Sequence, residues 1–455
     1  MSENKMGSYP INKILWTMGL PMVFSMVLQA LYNVVDTVFV INMGEEEIKA
    51  NLALTYVFPI QIFMIAVGVG TGIGINALLS RALGEGDKKK IGLTLGNGIF
   101  VGTAIYIIFL LFGLFASKWF LSIQTNDVEI INIGTEYLKI VTILSFGAVG
   151  FNVFERFLQA TGKTQYSTIA QVAGAVTNII LDYIFIYPCK MGVAGAAYAT
   201  IIGQIVSLLV AVIFHYFFNR EIKHGIKDMV PNRRIVGSIY RVGWSAMLMQ
   251  ALLSINMFVM IKVFSINQDA EIINGTYGIY YKIQQIALFS CFGLSNTIIS
   301  LLAFNVGLGN KERIKACINW GIIDTIIVAG VITIIFELFA SSIANLFGLT
   351  AQGNNKEQIV SLCQTSIRIA SIGYVFMAIS LAIQGILQAY RKSVTPLFIS
   401  LLRLIIIIVP IALIFINFGN AKDVIWWAFP ITEILTAVVS LILLKFTKEI
   451  KEAFL

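Results

Sequence analysis

The chain has 455 residues, of which 58% are hydrophobic and 12% charged, and its formal net charge is +8. A soluble protein typically has about 25% charged residues, so this composition excludes an ordinary soluble fold. Only helices or closed barrels span lipid, and the apolar stretches here are much longer than a barrel strand of roughly 10 residues. The sequence therefore predicts an all-α integral membrane protein.

Twelve long apolar stretches follow one another along the chain. Most exceed the roughly 20 residues of a straight crossing, so we expect tilted or kinked helices. The first is too long for the hydrophobic region of a signal peptide and is interpreted as a retained span. We predict transmembrane helices at 12–41, 51–80, 92–117, 131–159, 166–187, 194–217, 235–265, 275–305, 314–345, 360–388, 395–417 and 424–446.

Basic residues are concentrated in alternate loops between these spans. With a cytoplasmic N-terminus, the inner loops hold most of the Lys and Arg, whereas the outer loops hold few and include the acidic run Glu45–Glu47. This asymmetry is the positive-inside pattern. It predicts a multi-pass protein of the cell inner (plasma) membrane with both termini cytoplasmic. It also explains the positive net charge without a nucleic-acid partner.

The chain contains an internal duplication. LGEGDKKKI at 83–91 matches VGLGNKERI at 306–314, and LQATGKT at 158–164 matches LQAYRKS at 387–393, at nearly the same offset. The polar stretch 219–234 divides the chain nearly in half. Because each half holds an even number of spans, the repeats are parallel, which is typical of a transporter whose site lies between the halves. We predict an N-terminal six-helix lobe at 1–218, a cytoplasmic linker without an ordered motif at 219–234, and a C-terminal six-helix lobe at 235–455.

Several motif-like segments do not indicate catalysis. Gly68, Gly70, Gly72 and Gly74 alternate within one span without a preceding strand, which favours close helix approach over a dinucleotide site. ATGKT at 160–164 lacks the first glycine of a phosphate-binding loop. Without an ATPase signature, uphill transport requires an ion gradient. The four cysteines are dispersed and the histidines number two, so we expect small buried hydrophobes rather than a metal centre.

Pro21 lies about ten residues into the first span. A proline in a helix interior removes one backbone hydrogen bond and clashes with the preceding turn. The resulting kink is either static or a bend that changes during transport. In the second case Pro21 would be a hinge.

Asp36, Asp182 and Glu155 lie within spans of the N-terminal half, where a charge costs on the order of 3 kcal/mol on insertion scales. Each has polar neighbours at helical spacing. The sets are Asp36 with Asn33 and Thr37, Asp182 with Asn178, and Glu155 with Asn152 and Gln159. Such groups could bind a proton, a sodium ion or a cationic ligand, or form a buried network that only orders the helices. Adjacent Arg156 could also hold Glu155 in an interfacial ion pair.

The two halves differ in these acids. The repeat offsets put Asp36 opposite about Met260, Asp182 opposite about Ile411, and Glu155 opposite Gln384. The acids of the C-terminal half, Asp324, Glu337 and Glu433, do not cluster at equivalent places. We therefore expect the chemistry to be concentrated in the N-terminal half.

The chain resembles the MATE multidrug and toxin extrusion family, nearest its bacterial MepA-like branch. The resemblance covers nearly the whole chain. It depends on GLPMVFSMVLQALYNVVDTVFV in the first span, the ALLSRALGEGD turn, NIILDYIF followed by GVAGAAYAT, and the duplication of six spans.

This resemblance implies a secondary active efflux antiporter, rather than an enzyme, with two six-helix lobes around a central cleft. It would export organic, mostly cationic compounds in exchange for H⁺ or Na⁺, as a monomer in lipid and without a cofactor. The coupling cation, Na⁺ included, would bind at Asp36, Asn178, Asp182 and Thr200. Substrate would contact Glu155, Asn152, Tyr32 and Gln159, and Pro21 matches a first-helix proline that bends. The C-terminal half lacks the cation-site acids of some branches.

Two other classes compete with this interpretation. A lipid-linked oligosaccharide flippase of the same superfamily would line its cleft with Arg and Lys, whereas the central acids here favour a cation. A membrane-embedded hydrolase or prenyltransferase would need paired acids such as DDxxD, or His and Ser sets, and the sequence contains neither.

Overall fold

The computed structural model describes residues 5–41, 47–219, 222–223, 225–347 and 356–454, and their side chains except those of 32–52 and 453–454. Every regular element within this part of the chain is helical, which confirms the all-α prediction.

The helices are, in chain order, α1 (Lys5–Ser8), α2 (Ile11–Ile41), α3 (Glu47–Glu85), α4 (Lys88–Phe115), α5 (Ser117–Ser122), α6 (Val128–Ile143), α7 (Phe146–Ala160), α8 (Thr164–Ile186), α9 (Gly192–Phe218), α10 (Arg233–Phe264), α11 (Ala270–Leu308), α12 (Lys311–Phe347), α13 (Lys356–Ser371), α14 (Tyr374–Ala389), α15 (Val394–Leu401), α16 (Ile408–Phe415), α17 (Ala421–Val424), α18 (Ala428–Phe446) and α19 (Lys448–Phe454). Short 3₁₀ turns lie at Ile226–Met229 and Ile425–Trp427, and a π-helical segment at Leu402–Ile406.

Eleven helical segments in the described residues are long and apolar enough to cross a membrane. The pair α13–α14, bent by 54°, provides a twelfth when it is counted as one broken span. The bend lies at Gly373, where an added Cβ would be only 2.9 Å from the Cα of Pro430 in α18. The twelve predicted spans thus correspond to observed helices, with ends that differ by several residues.

Contacts within the chain define two compact units. The first unit comprises Met1–Ala30 and Leu248–Leu455, and the second comprises Leu31–Met247. The first unit packs around aromatic residues of α10, α11 and α18 such as Phe264, Tyr280 and Phe429. The second packs around aliphatic and aromatic residues of α3, α4, α6 and α7. The predicted lobes, 1–218 and 235–455, stay a prediction.

The linker between the repeats is ordered where it is described, so the prediction that it lacks an ordered motif is wrong. Its 3₁₀ turn is held by Asn97 on α4, whose Nδ2 donates to the carbonyl of Asp228 at 3.0 Å and whose Oδ1 accepts from the backbone N–H of Asn232 at 2.7 Å. A Cβ at Gly96 would lie 2.4 Å from the Asp228 carbonyl carbon. The amide of Asn97 and the absence of a side chain at Gly96 therefore position this polar segment against α4. The hydrophobic pattern of the sequence does not predict this contact.

The C-terminal helix α19 is fixed to the turn after α14 by an ion pair. The Nζ of Lys392 lies 2.6 Å from the Oε1 of Glu449. This hydrogen bond lowers the pKa of the Glu449 carboxyl from its ordinary value. Both side chains are well exposed to solvent, so the pair orients α19 more than it stabilises the fold.

The cysteines provide a direct test of topology. Cys291, Cys317 and Cys363 are buried as predicted, but Cys189, in the turn between α8 and α9, is exposed. We expect a membrane-impermeant maleimide to label Cys189 from outside intact cells. In a Cys189→Ser background, Lys88→Cys at the start of α4 should react only after permeabilisation. Labelling of both positions from the same side would contradict the predicted topology.

Candidate functional site

Asn178 and Asp182 lie on one buried stripe of α8. Positions 170, 174, 178, 182 and 186 recur every four residues and are all buried. Asp182 is completely buried, and the Nδ2 and Oδ1 of Asn178 have no hydrogen-bond partner among the described residues. A buried amide without a partner costs about 1–3 kcal/mol, which points to a ligand or a conformational state that satisfies it. The sequence-predicted pairing of these two residues on one face is confirmed.

This stripe packs against α9 at very short range. An added Cβ at Gly174 would lie 2.5 Å from the carbonyl oxygen of Gly203, and one at Gly203 would lie 2.8 Å from the Cβ of Asn178. Thr200, which is half-buried, comes one helical turn before Gly203 on α9. Small residues thus bring the helix that carries Thr200 close to the face that carries Asn178 and Asp182.

Two predicted site residues lie outside the described side chains. Asp36 and Tyr32 are both in the second half of α2, where only the backbone is described. Pro21 lies inside α2, which continues as a helix on both sides of it. The roles of Asp36, Tyr32 and Pro21 therefore stay predictions.

Glu155, Arg156 and Gln159 form a buried cluster on α7. Gln159 bridges the other two, because its Nε2 donates to the Oε1 of Glu155 at 2.8 Å and its Oε1 accepts from Arg156 at 2.7 Å. The Nε of Arg156 lies 3.8 Å from the Oε2 of Glu155, and both side chains are at most 5% exposed. The ion pair that the sequence suggested is thus present, and both of its side chains are buried.

The glycine series of α3 makes room for this cluster. An added Cβ at Gly72 would lie 2.9 Å from the Cγ of Arg156, and one at Gly68 would lie 3.2 Å from the Nδ2 of Asn152. Asn152 does not join the cluster, since its amide donates to its own helix, at the Ala148 carbonyl. The interpretation of these glycines as sites of close helix approach is confirmed.

The first unit contains a second buried ion pair, which the sequence analysis missed. The Nε of Arg403, in the π-helical segment, donates to the Oε1 of Glu433 on α18 at 2.8 Å. The two side chains are 5% and 8% exposed, respectively. The two residues are 30 positions apart, so only their shared location within spans could have suggested the pair.

The described residues contain no group of three or more His, Cys, Asp or Glu side chains arranged to hold a metal.

Comparison with known proteins gives a consistent result. The MatE family model matches residues 21–184 and 245–414, one segment in each half of the chain. Two relatives are the multidrug export proteins MepA of Staphylococcus aureus and Staphylococcus saprophyticus. The first is 25% identical over 95% of this chain and 93% of its own length. The second is 23% identical over 90% of this chain and 88% of its own length.

A solved structure shares the whole fold. It is an outward-facing multidrug resistance MATE family transporter of the MOP superfamily, and it superposes with a TM-score of 0.92. The match covers 100% of this chain and 99% of the other at 22% identity. The helices described above are therefore arranged as in a MATE transporter.

Proposed function

Since the chain belongs to the MatE family, whose members include multidrug export transporters, we propose that it is a secondary active antiporter that exports organic, mostly cationic compounds in exchange for H⁺ or Na⁺. It is a multi-pass membrane protein. We further propose that it acts as a monomer in the plasma membrane with both termini cytoplasmic.

The observation that carries this proposal is the buried face of α8. A carboxylate in the middle of a membrane span is costly and has a function in most cases. Asp182 is completely buried, and the amide of Asn178 one turn away has no partner among the described residues. A proton or a sodium ion bound at Asp182 would reduce the electrostatic cost, and Asn178 and Thr200 would supply the further oxygens that sodium requires.

We propose that Asp36 shares the cation with Asp182. Two carboxylates in a low-dielectric site cannot both stay charged at low cost, so they titrate as one coupled unit. A pH gradient of one unit supplies about 1.4 kcal/mol per proton. A membrane potential of 100 mV adds about 2.3 kcal/mol per charge moved. Together they support severalfold to hundredfold accumulation of a cation, depending on stoichiometry.

The substrate contacts proposed from the sequence are Glu155, Asn152, Tyr32 and Gln159. Glu155 is already neutralised by Arg156 and bonded to Gln159. A cationic substrate would have to compete with Arg156 for this carboxylate, so we assign Glu155 to substrate selection rather than to ion coupling.

The buried arginines also favour export over lipid-linked oligosaccharide flipping. A flippase needs basic side chains that are free to bind pyrophosphate. In the described part of the chain, the buried arginines are Arg156 and Arg403, and each is paired with a glutamate.

The test is ethidium transport by the purified protein in proteoliposomes. We expect transport when a pH gradient or a sodium gradient is imposed alone, and the gradient that drives it identifies the coupling ion. Collapsing that gradient with a matching ionophore should stop transport, and protein-free liposomes provide the baseline. Transport that is indifferent to both gradients would contradict the proposed antiport.

A further inference from the structure

The helix that carries Arg403 is locally widened. The backbone N–H of Ile407 donates to the carbonyl of Leu402, five residues back, at 2.9 Å. Pro410 follows this segment, near the start of α16, and has no N–H to donate to the carbonyl of Ile406, so one backbone hydrogen bond of a regular helix is missing here. The Nδ2 of Asn256 on α10 donates to the Leu404 carbonyl at 2.6 Å. Single-turn π segments of this kind are frequent at functional sites.

The widened turn borders a small cavity within the first unit. Its volume is about 20 Å³, which is room for about one water molecule. Arg403 and Glu433 line it together with Asn256, Tyr281 and Gln284. The Oε2 of Glu433 is buried and has no hydrogen-bond partner in the described ranges. The cavity lining thus combines a carboxylate, two amides, a hydroxyl and one guanidinium with apolar side chains.

The internal duplication relates this cavity to the α8 site. At the offset that aligns LQATGKT with LQAYRKS, Ile407 corresponds to Asn178 and Phe429 corresponds to Thr200. Arg403 precedes Ile407 by four residues, and Glu433 follows Phe429 by four residues. Consecutive membrane helices run in opposite directions, so both displacements lead to the same level, about 6 Å or slightly more than one turn away.

The residues of the N-terminal half that correspond to Arg403 and Glu433 are uncharged. Arg403 corresponds to Gly174, and Glu433 corresponds to Gln204. Each half thus has a buried acid on its fifth or sixth span, Asp182 on α8 and Glu433 on α18, and in the first unit the guanidinium of Arg403 accompanies that acid.

We propose that the Arg403–Glu433 cavity is a cation site that is permanently filled by the chain's own guanidinium. Arg403 provides the charge that an exchangeable ion would otherwise provide, and the amide and hydroxyl groups of the cavity complete its surroundings. This cavity then exchanges no ion with solvent. Under the proposed antiport, one coupling site per chain, at Asp182, operates in the transport cycle.

Removal of the guanidinium should convert the cavity into a site for a free cation. We would make Arg403→Ala in the full-length protein that already carries Asp182→Asn. The Asp182→Asn substitution removes the carboxylate of α8, so that it cannot bind the added cation. The midpoint of thermal unfolding is then measured at constant ionic strength with guanidinium, sodium or choline chloride. We expect Arg403→Ala to lower Tm and about 20 mM guanidinium to restore at least half of the loss, since a ligand that binds only the folded state stabilises it. Choline should restore none.

Two controls show whether the added ion replaces Arg403. Arg403→Lys keeps a resident cation and should not respond to guanidinium. Arg403→Ala with Glu433→Gln removes the acid and should not respond either. A guanidinium response equal to that of choline, or one that survives Glu433→Gln, would overturn the proposal.

If Arg403→Ala cannot be purified in ordinary buffer, recovery becomes the readout. A monodisperse protein obtained in guanidinium but not in choline supports the proposal. Loss in both buffers, while Arg403→Gln with Glu433→Gln is recovered, contradicts it. These measurements do not require transport, so the resident-cation site and the proposed antiport can fail separately.

Discussion

Asp182→Asn is expected to abolish ion-coupled efflux while leaving the protein folded. The change preserves the size and most of the hydrogen bonding of the side chain, but it removes the titratable charge from the buried stripe of α8. A one-unit pH gradient supports about tenfold accumulation for one proton per substrate. In the variant, this ratio should fall to 1 in the same proteoliposomes, with unchanged Tm or a higher one.

Asp324→Asn is the matched control. Asp324 lies within α12 of the first unit and is as deeply buried as Asp182, with 1% of its surface exposed. The substitution is chemically identical but lies in the half where we expect no coupling chemistry. Efflux should be retained within about a factor of two, because one uncoupled side chain changes only local packing. Equal losses in both variants would argue against coupling in the N-terminal half alone.

The sequence predicts features that depend on long runs of residues. Twelve apolar stretches determine the spans, because lipid requires internally bonded helices of nearly fixed length. Pairs four residues apart on one helix, such as Asn178 with Asp182 and Glu155 with Gln159, were also predicted, because helical spacing fixes their shared face. The glycines of α3 were assigned to close helix contacts on the same grounds.

Features that depend on contacts between distant positions could not be predicted in this way. Arg403 lies in a π-helical turn, and its side chain reaches Glu433 on α18. No local sequence pattern predicts the rotation of a side chain that such a turn produces. The order of the linker depends on Asn97, which is 131 residues from its partner Asp228. Cys189 is exposed because α8 ends before it, a boundary that hydropathy places only to within a few residues.

Each of the two units contains a buried pair of opposite charges. The clusters Glu155–Arg156 and Arg403–Glu433 each contain both signs, so neither needs an external ion. The described neighbours of Asp182 on its stripe of α8 include no basic residue. A proton or a cation bound at Asp182 would lower the cost of its burial, and under the proposed antiport either one links the state of this acid to the ion gradient. Under the proposed antiport, Asp182 is therefore distinct from Glu155 and Glu433, whose charges are balanced by arginines of the chain.

Arg156→Met is expected to have the largest effect on stability. Methionine retains an unbranched side chain beside Gly72, so the packing there changes little. The substitution leaves Glu155 buried without its positive partner, and breaking a buried pair in this way typically costs about 3–5 kcal/mol. Adding Glu155→Gln removes the orphaned charge, so the double variant should recover most of the loss. Reversible unfolding in mixed detergent measures the free energies of unfolding of all three proteins.

Arg81→Met provides the comparison at the surface. Arg81 pairs with Glu85 at 3.0 Å, but both side chains are about a third exposed. Exposed pairs of this kind typically contribute about 0–1 kcal/mol, because water screens the charges that remain. Arg156→Met should therefore destabilise the protein several times more than Arg81→Met. If the two losses are equal, or if the double variant is less stable than Arg156→Met alone, the Glu155–Arg156 pair does not behave as a buried, mutually neutralised unit.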